Sequence, residues 1–190
     1  MCWASSRSGM LPSIMIDIVS FLILLSFIVI AALWILVPAL YGLPPVTTHR
    51  ERIRKALQMA NLQPDEILYD LGSGHGRVLV IAAKEFGAHA VGIEVGPVQC
   101  VIAGLNALYN GVGSKVRVEA KDFYSADISQ ADVVYAYLTS KQAPRLEARL
   151  EKQLKRGARV VTISFNFPDW KPTAIDREKL IFLYQMPPEH

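Results

Sequence analysis

Tyr69-Asp-Leu-Gly-Ser-Gly-His-Gly-Arg77 joins three kinds of pattern within nine residues. Ile67 to Leu71 is a short apolar run of buried-strand type, residues 72 to 76 carry glycine at every second position, and a helical pattern then continues to about Phe86. Glycines in such a turn let the backbone approach a ligand closely, and the helix start beyond them supplies free N–H groups to an anion. A dinucleotide turn, Gly-x-Gly-x-x-Gly, would need glycine at position 77, which is arginine. The turn is therefore Gly72-x-Gly74-x-Gly76.

Asp70 selects the ligand. A fixed carboxylate repels a pyrophosphate, whereas beside the amino group of an amino acid it forms a charge-assisted hydrogen bond. The next strand, Ala90 to Glu94, ends in an acid 22 residues after Gly72, placed to accept from both hydroxyls of a ribose. Val116 to Asp122 alternates like a third strand. At its tip Asp122 can accept from an adenine amino group while the N–H of Phe123 donates to the ring. An amino acid, a ribose and an adenine together describe S-adenosylmethionine. Each residue also has a plainer reading, Glu94 as a solvated strand-end acid and Asp122 as the cap of the turn before Tyr124. His75, open in the turn, is expected to be neither ligand nor base.

Outward from this stretch the alternation continues. Thr47 or Thr48 can cap a helix with Ile53, Ala56, Leu57 and Ala60 on one side, and Pro97 starts a helix with Val98, Val101, Ile102, Leu105 and Leu108 on one side. Asp132 to Tyr137 is a fourth strand, Pro144 to Leu154 a charged helix ended by Gly157, and Ala158 to Phe165 and Leu180 to Gln185 complete the strands. Strands alternating with helices predict an α/β fold, a parallel Rossmann-like sheet with helices on both faces. Such sheets bind ligands at the carboxyl ends of their strands.

The 190-residue chain is 52% hydrophobic, with net charge +3. Its excess hydrophobicity lies in Ile18 to Val37, twenty residues without a charge, about 30 Å as a helix and enough to cross a bilayer. A signal peptide would have a shorter apolar core ending at a small-residue cleavage site, so an uncleaved anchor is the expectation. Trp34 and Tyr41 suit the headgroup level, and Pro44 and Pro45 stop the helix. The resulting division is a tail over 1–13, a transmembrane anchor over 14–40, a linker over 41–47 and a catalytic domain over 48–190.

Removing the first 43 residues takes away only Arg7 and Asp17 among charged groups, leaving a domain of ordinary balance. That charge is too small for a nucleic-acid groove and compatible with an anionic membrane surface. Arg50, Arg52, Arg54 and Lys55 after the span, against Arg7 before it, predict a cytoplasmic domain on a bacterial inner membrane, with a mitochondrial inner membrane also open. These cations also read simply as a solvated helix face. Cys2 and Cys100 offer neither a disulfide framework nor a metal spacing, and Cys100 is expected to be a small buried residue.

The combined motifs resemble the class I S-adenosylmethionine-dependent methyltransferases over residues 45 to 190. They are more narrowly similar to small protein-lysine methyltransferases, the archaeal broad-specificity enzymes and the membrane-anchored ATP-synthase c-subunit group. The narrower similarity rests on Tyr69 to Arg77, Val91-Gly-Ile-Glu94, Lys121-Asp-Phe123, Val133-Val-Tyr-Ala-Tyr-Leu138, Leu150 to Val161 and Ser164-Phe-Asn-Phe-Pro-Asp-Trp170. The resemblance implies cofactor contacts from Asp70, Gly72, Gly74, Gly76, Glu94, Asp122 and Phe123, with the lead-in from Leu43 to Thr47 covering the site. His75 stands where the family usually has Asp.

Methylating a lysine requires the neutral amine, which an apolar aromatic channel favours by desolvation. Tyr135, Tyr137, Phe165, Phe167 and Trp170 are the available wall or, equally, core, and Tyr137 is the candidate for a catalytic role. No general base is evident. The sequence lacks the Asn/Asp-Pro-Pro-Tyr motif that would follow the fourth strand in enzymes methylating bases or glutamine amides. The implied partners are a membrane-associated protein substrate and the bilayer, without nucleic acid. A lipid or quinone-type substrate, or a non-catalytic nucleoside-binding module, are the alternatives.

Overall fold

The computed structural model describes residues 10–40 and 48–189. Tyr41, Pro44, Pro45, Thr47, the linker and the lead-in Leu43 to Thr47 lie outside the described residues, as does most of the N-terminal tail. Helix α1 runs Met10–Leu40. Within it Met15–Leu36 is long and apolar enough to cross a membrane, with none of it buried in the protein. Ser26 donates its hydroxyl to the Leu22 carbonyl four residues back, which satisfies it inside the helix.

Seven strands follow: β1 Ile67–Leu71, β2 His89–Glu94, β3 Val116–Ala120, β4 Val133–Ala136, β5 Arg159–Ile163, β6 Ala174–Asp176 and β7 Ile181–Gln185. They form one sheet in the order β3-β2-β1-β4-β5-β7-β6. The first five are parallel, as the alternating pattern predicted. The last two depart from it, since β7 runs antiparallel to β5 and β6 antiparallel to β7. The short, half-exposed β6 has no sequence pattern of its own and exists by pairing with β7. Because β5 reaches β7 without an intervening parallel crossover helix, the chain returns along the edge in the opposite sense.

Helices α2 Arg50–Met59, α3 Arg77–Glu85, α4 Pro97–Tyr109 and α5 Ala143–Gln153 cover the sheet. α2 buries Ile53, Ala56 and Leu57 as its spacing predicted. Its cap differs: His49 occupies the N-cap position with no side-chain bond, and Thr48 instead gives its carbonyl to Arg77. Strand alternation divides the core in two. Leu68, Val133, Tyr135 and Val161 join α2 and α3 on one face, while Tyr69, Leu71, Val134 and Val160 join α5 on the other.

α4 inverts the expected arrangement. The sequence grouped Val98, Val101, Ile102, Leu105 and Leu108 as one apolar side; the structure exposes Val101, Leu105 and Leu108, leaves Val98 and Ile102 half-buried, and buries Gln99, Ala103 and Ala107 instead. The cause is close packing against the glycine turn, where a Cβ on Gly76 would meet the Ala103 Cβ at 2.9 Å. Only small side chains fit between them. Cys100 is half-buried, and burial, with the Glu94 charge second, pushes its thiol up to about 11. It is an unreactive thiol.

Candidate active site

Gly72, Gly74 and Gly76 all have positive φ (86°, 52° and 73°), which side-chain-bearing residues rarely adopt. The turn is tied to β2 by the N–H groups of Gly72 and Ser73, both donating to the Ile93 carbonyl at 2.9 and 3.1 Å. Gly92 in β2 must also be small, because a Cβ there would lie 2.6 Å from both Ser73 Oγ and Leu79 Cδ1. The sequence motif therefore fixes a tightly folded cradle at the carboxyl ends of β1 and β2.

Asp70 and Glu94 are both buried in this cradle. Glu94 Oε2 accepts the N–H of Gly74 and Oε1 that of Gly96, each at 2.8 Å. Each carboxylate oxygen keeps a further lone pair for a ligand hydroxyl. Asp70 is pushed up to about 8, first by burial and then by the Glu94 charge. No lysine or arginine among the described residues forms an ion pair with either acid. Buried Asp70, without a protein cation beside it, is costly to ionise, and a positively charged ligand group would relieve that cost.

Tyr135 is paired with Asp70 across β1 and β4. Its hydroxyl is buried with no hydrogen-bond partner, although Thr48 is beside it, and so is the hydroxyl of Ser73. Burial, then the Asp70 charge, raises the Tyr135 phenol, so it stays protonated and able to donate. A glycine cradle, two orphaned hydroxyls and an unpaired acid pair fit a ligand bearing an amino acid and a ribose.

Asp122 lies just beyond β3, half-buried, and its Oδ1 accepts the Tyr124 N–H at 2.9 Å. The plainer turn-capping reading is thus realised, while its second oxygen stays available. Phe123 is buried, its ring 4.4 Å from that of Tyr124. The structure brings Asp70, Glu94 and the glycines together directly, and sets Asp122 and Phe123 at the tip of the neighbouring strand.

The proposed aromatic wall divides. Phe165, Phe167 and Trp170 are buried with Tyr184 in the core on the α5 face, with ring centroids 4.7 to 5.8 Å apart. They pack rather than line a channel. Tyr137, half-buried just after β4, is on the same face as Tyr135, and the Arg52 guanidinium sits 5.6 Å from its ring centroid. Arg52 also donates to the Lys179 carbonyl at 2.6 Å and to Ser164 Oγ at 2.8 Å. Sequence reasoning counted Arg52 as a topology cation or a charge on a solvated helix face, not as a site residue. The positive φ of Ser164, 64°, marks the sharp turn that brings its hydroxyl there.

A sheet of this order, with a glycine turn after β1 and acids at the tips of the first three strands, defines the class I S-adenosylmethionine-dependent methyltransferases. Residues 70–174 match the model of the ANTKMT methyltransferase domain. A protein-lysine N-methyltransferase of Saccharolobus islandicus is 37% identical over 133 residues, 70% of this chain and 83% of that protein. The ATP-synthase c-subunit lysine N-methyltransferase of Xenopus laevis is 32% identical, over 70% of this chain but only 58% of its own length. A crystal structure described as an RNA methyltransferase from Salinibacter ruber, in complex with S-adenosyl-L-homocysteine, has 35% identity and a TM-score of 0.73, covering 76% of this chain and 96% of that one. The chain belongs to the ANTKMT methyltransferase family. Its methyl donor is S-adenosylmethionine.

Proposed function

We propose that the chain is a membrane-anchored protein-lysine N-methyltransferase whose substrate is membrane-associated. The supporting observation for lysine is the archaeal relative, a protein-lysine enzyme similar over most of its own length. In this reading Asp70 binds the amino group of the methyl donor, Glu94 its ribose hydroxyls and Asp122 with Phe123 its adenine, over the cradle of Gly72, Gly74 and Gly76. The donor supplies an activated methyl group, so the protein aligns the acceptor and excludes water. Tyr137 offers the acceptor an aromatic surface. The Arg52 charge beside it disfavours a second cation, which shifts an entering lysine toward the neutral amine needed for attack.

The apolar stretch Met15–Leu36 supports anchoring. A cytoplasmic domain remains the proposed orientation, although Arg52 and Arg54 also bond within the domain, Arg54 to Glu85 at 2.6 Å. Protease protection in sealed vesicles tests it, and a domain cleaved only from outside would overturn it. Native membranes incubated with radiolabelled donor test the substrate: label on protein lysines is expected. Label confined to the lipid extract would favour a lipid or quinone-type acceptor, label on RNA a nucleic-acid acceptor, and label in none of these a binding module.

A further inference from the structure

Outside α1, six large hydrophobic residues are exposed among the described residues, and four of them, Val101, Leu105, Leu108 and Tyr109, lie on α4. At 100° per residue, Val101, Leu105 and Leu108 fall within an arc of about 60°. Val98 and Tyr109 lie together just beyond one edge of that arc. α4 has no charged residue at all. A soluble helix normally buries its large apolar side chains and exposes polar ones. α4 does the reverse: the close approach of Gly76 to Ala103 reserves its inner side for small side chains and leaves the large ones outside.

The same helix receives the end of α1. Gln99 Nε2 donates to the backbone carbonyl of Trp34 at 3.1 Å. That carbonyl would ordinarily accept the N–H four residues later, but position 38 is proline, which has none. The proline frees an acceptor at the end of the apolar stretch, and α4 supplies the donor. The Trp34 ring also meets His75 of the glycine turn, with centroids 5.2 Å apart. The apolar stretch thus ends against the first turn of α4, on the side of Gln99, while the exposed stripe lies on the outer side of the same helix.

The geometry points to α4 as a membrane-docking helix whose outer face, Val101, Leu105, Leu108 and Tyr109, lies in the lipid interface beside the anchor. The inference rests on the reading of α1 as a bilayer span. The occupant is lipid because the helix that carries the stripe packs against the end of a segment of the same chain read as entering lipid, which holds α4 close to the bilayer. Trp34 and Tyr109, which is 91% exposed, are aromatic groups of the kind that prefer the headgroup level. An uncharged apolar face beside a span is immersed at the boundary of headgroups and acyl chains. Docking would hold the glycine turn near the membrane surface and fix which side of the domain faces it.

The test uses the full chain in vesicles of phosphatidylcholine and phosphatidylglycerol, with Cys2→Ser and Cys100→Ser and a nitroxide on a single introduced cysteine. Labels at Ile23, Leu105, Leu108 and, on the opposite sheet face, Lys152 are compared by their broadening with oxygen and with a water-soluble nickel chelate. Oxygen is expected to dominate at Ile23, Leu105 and Leu108, and nickel at Lys152. Nickel dominance at Leu105 and Leu108 while Ile23 stays in lipid would overturn the docking helix and leave the anchor intact. Shielding of Leu105 and Leu108 from both reagents would mean a protein partner or second copy, and would also overturn it. Nickel dominance at Ile23 would sink the anchor reading itself.

Discussion

The two halves of the sheet are built on opposite principles. At the tips of β1 and β2, buried Asp70 and Glu94 lack a protein cation, and buried Ser73 Oγ and Tyr135 Oη lack any partner. Beyond β5, Phe165, Phe167, Trp170 and Tyr184 bury their rings against one another, with the Tyr184 hydroxyl accepting the Phe167 N–H at 3.1 Å and the Trp170 indole N–H also left without a partner. The first half leaves polar groups without protein partners, as the proposed donor site requires. The second gives up ligand contact for packing, and the difference teaches that aromatic residues near a site need not belong to it.

Four experiments break or sharpen this contrast. Phe167→Ala should lower folding stability by about 3–5 kcal/mol, the usual cost of deleting a buried aromatic side chain. Donor affinity of the remaining folded protein should be nearly unchanged. Thermal unfolding and calorimetry read the two quantities, and a large affinity loss in the folded fraction would return the aromatic cluster to the site. Asp70→Ala should do the converse, weakening donor binding by about ten- to a hundredfold or more, since a hydrogen bond to a charged group contributes about 1.5–3 kcal/mol. Unchanged affinity in this variant would refute the amino-group assignment.

Gly76→Ala should destabilise the turn by about 1–3 kcal/mol through its positive φ, with added crowding against Ala103. Matched thermal melts of the two proteins check this, and an unaltered midpoint would mean that the turn is less rigid than its geometry implies. The last test is in pH. Asp70 is raised from 3.8 to about 8 in the fold, so the ligand-free protein should lose stability as pH rises through that window and lose no more above it. Affinity for the cationic donor should rise over the upper part of the same window, as the carboxylate becomes ionised. Asp70→Asn should flatten the stability slope, and Glu94→Gln should move it to lower pH by removing the repelling charge. A slope unaltered in both variants would assign the pH dependence to other groups.

The cofactor side was legible because its residues sit within one or two positions of a strand end. Period-two alternation locates β1 and β2 closely, and a glycine-rich turn after a strand has few possible shapes, so Asp70 and Glu94 could be assigned to strand tips without coordinates. Arg52 and Ser164 were not legible in this way. They are 112 residues apart, and only the fold brings the Arg52 side chain to the turn just after β5. The aromatic trio reads equally as wall or core in the sequence because Phe165, Phe167 and Trp170 follow β5 in a segment without alternation. β7 and Tyr184 decide which way those rings point.

α4 marks the boundary most clearly. By itself the sequence determined the order of strands and helices, the glycine cradle and its acids, and one apolar stretch of bilayer length. These follow from local periodicity, turn chemistry and composition. Only the tertiary structure decided that β7 and β6 return antiparallel, that three aromatic residues are core, and that the large side of α4 faces outward. Periodicity defines an arc on a helix but not its sign, and here the sign was set by a contact between Gly76 and Ala103 that no local pattern encodes.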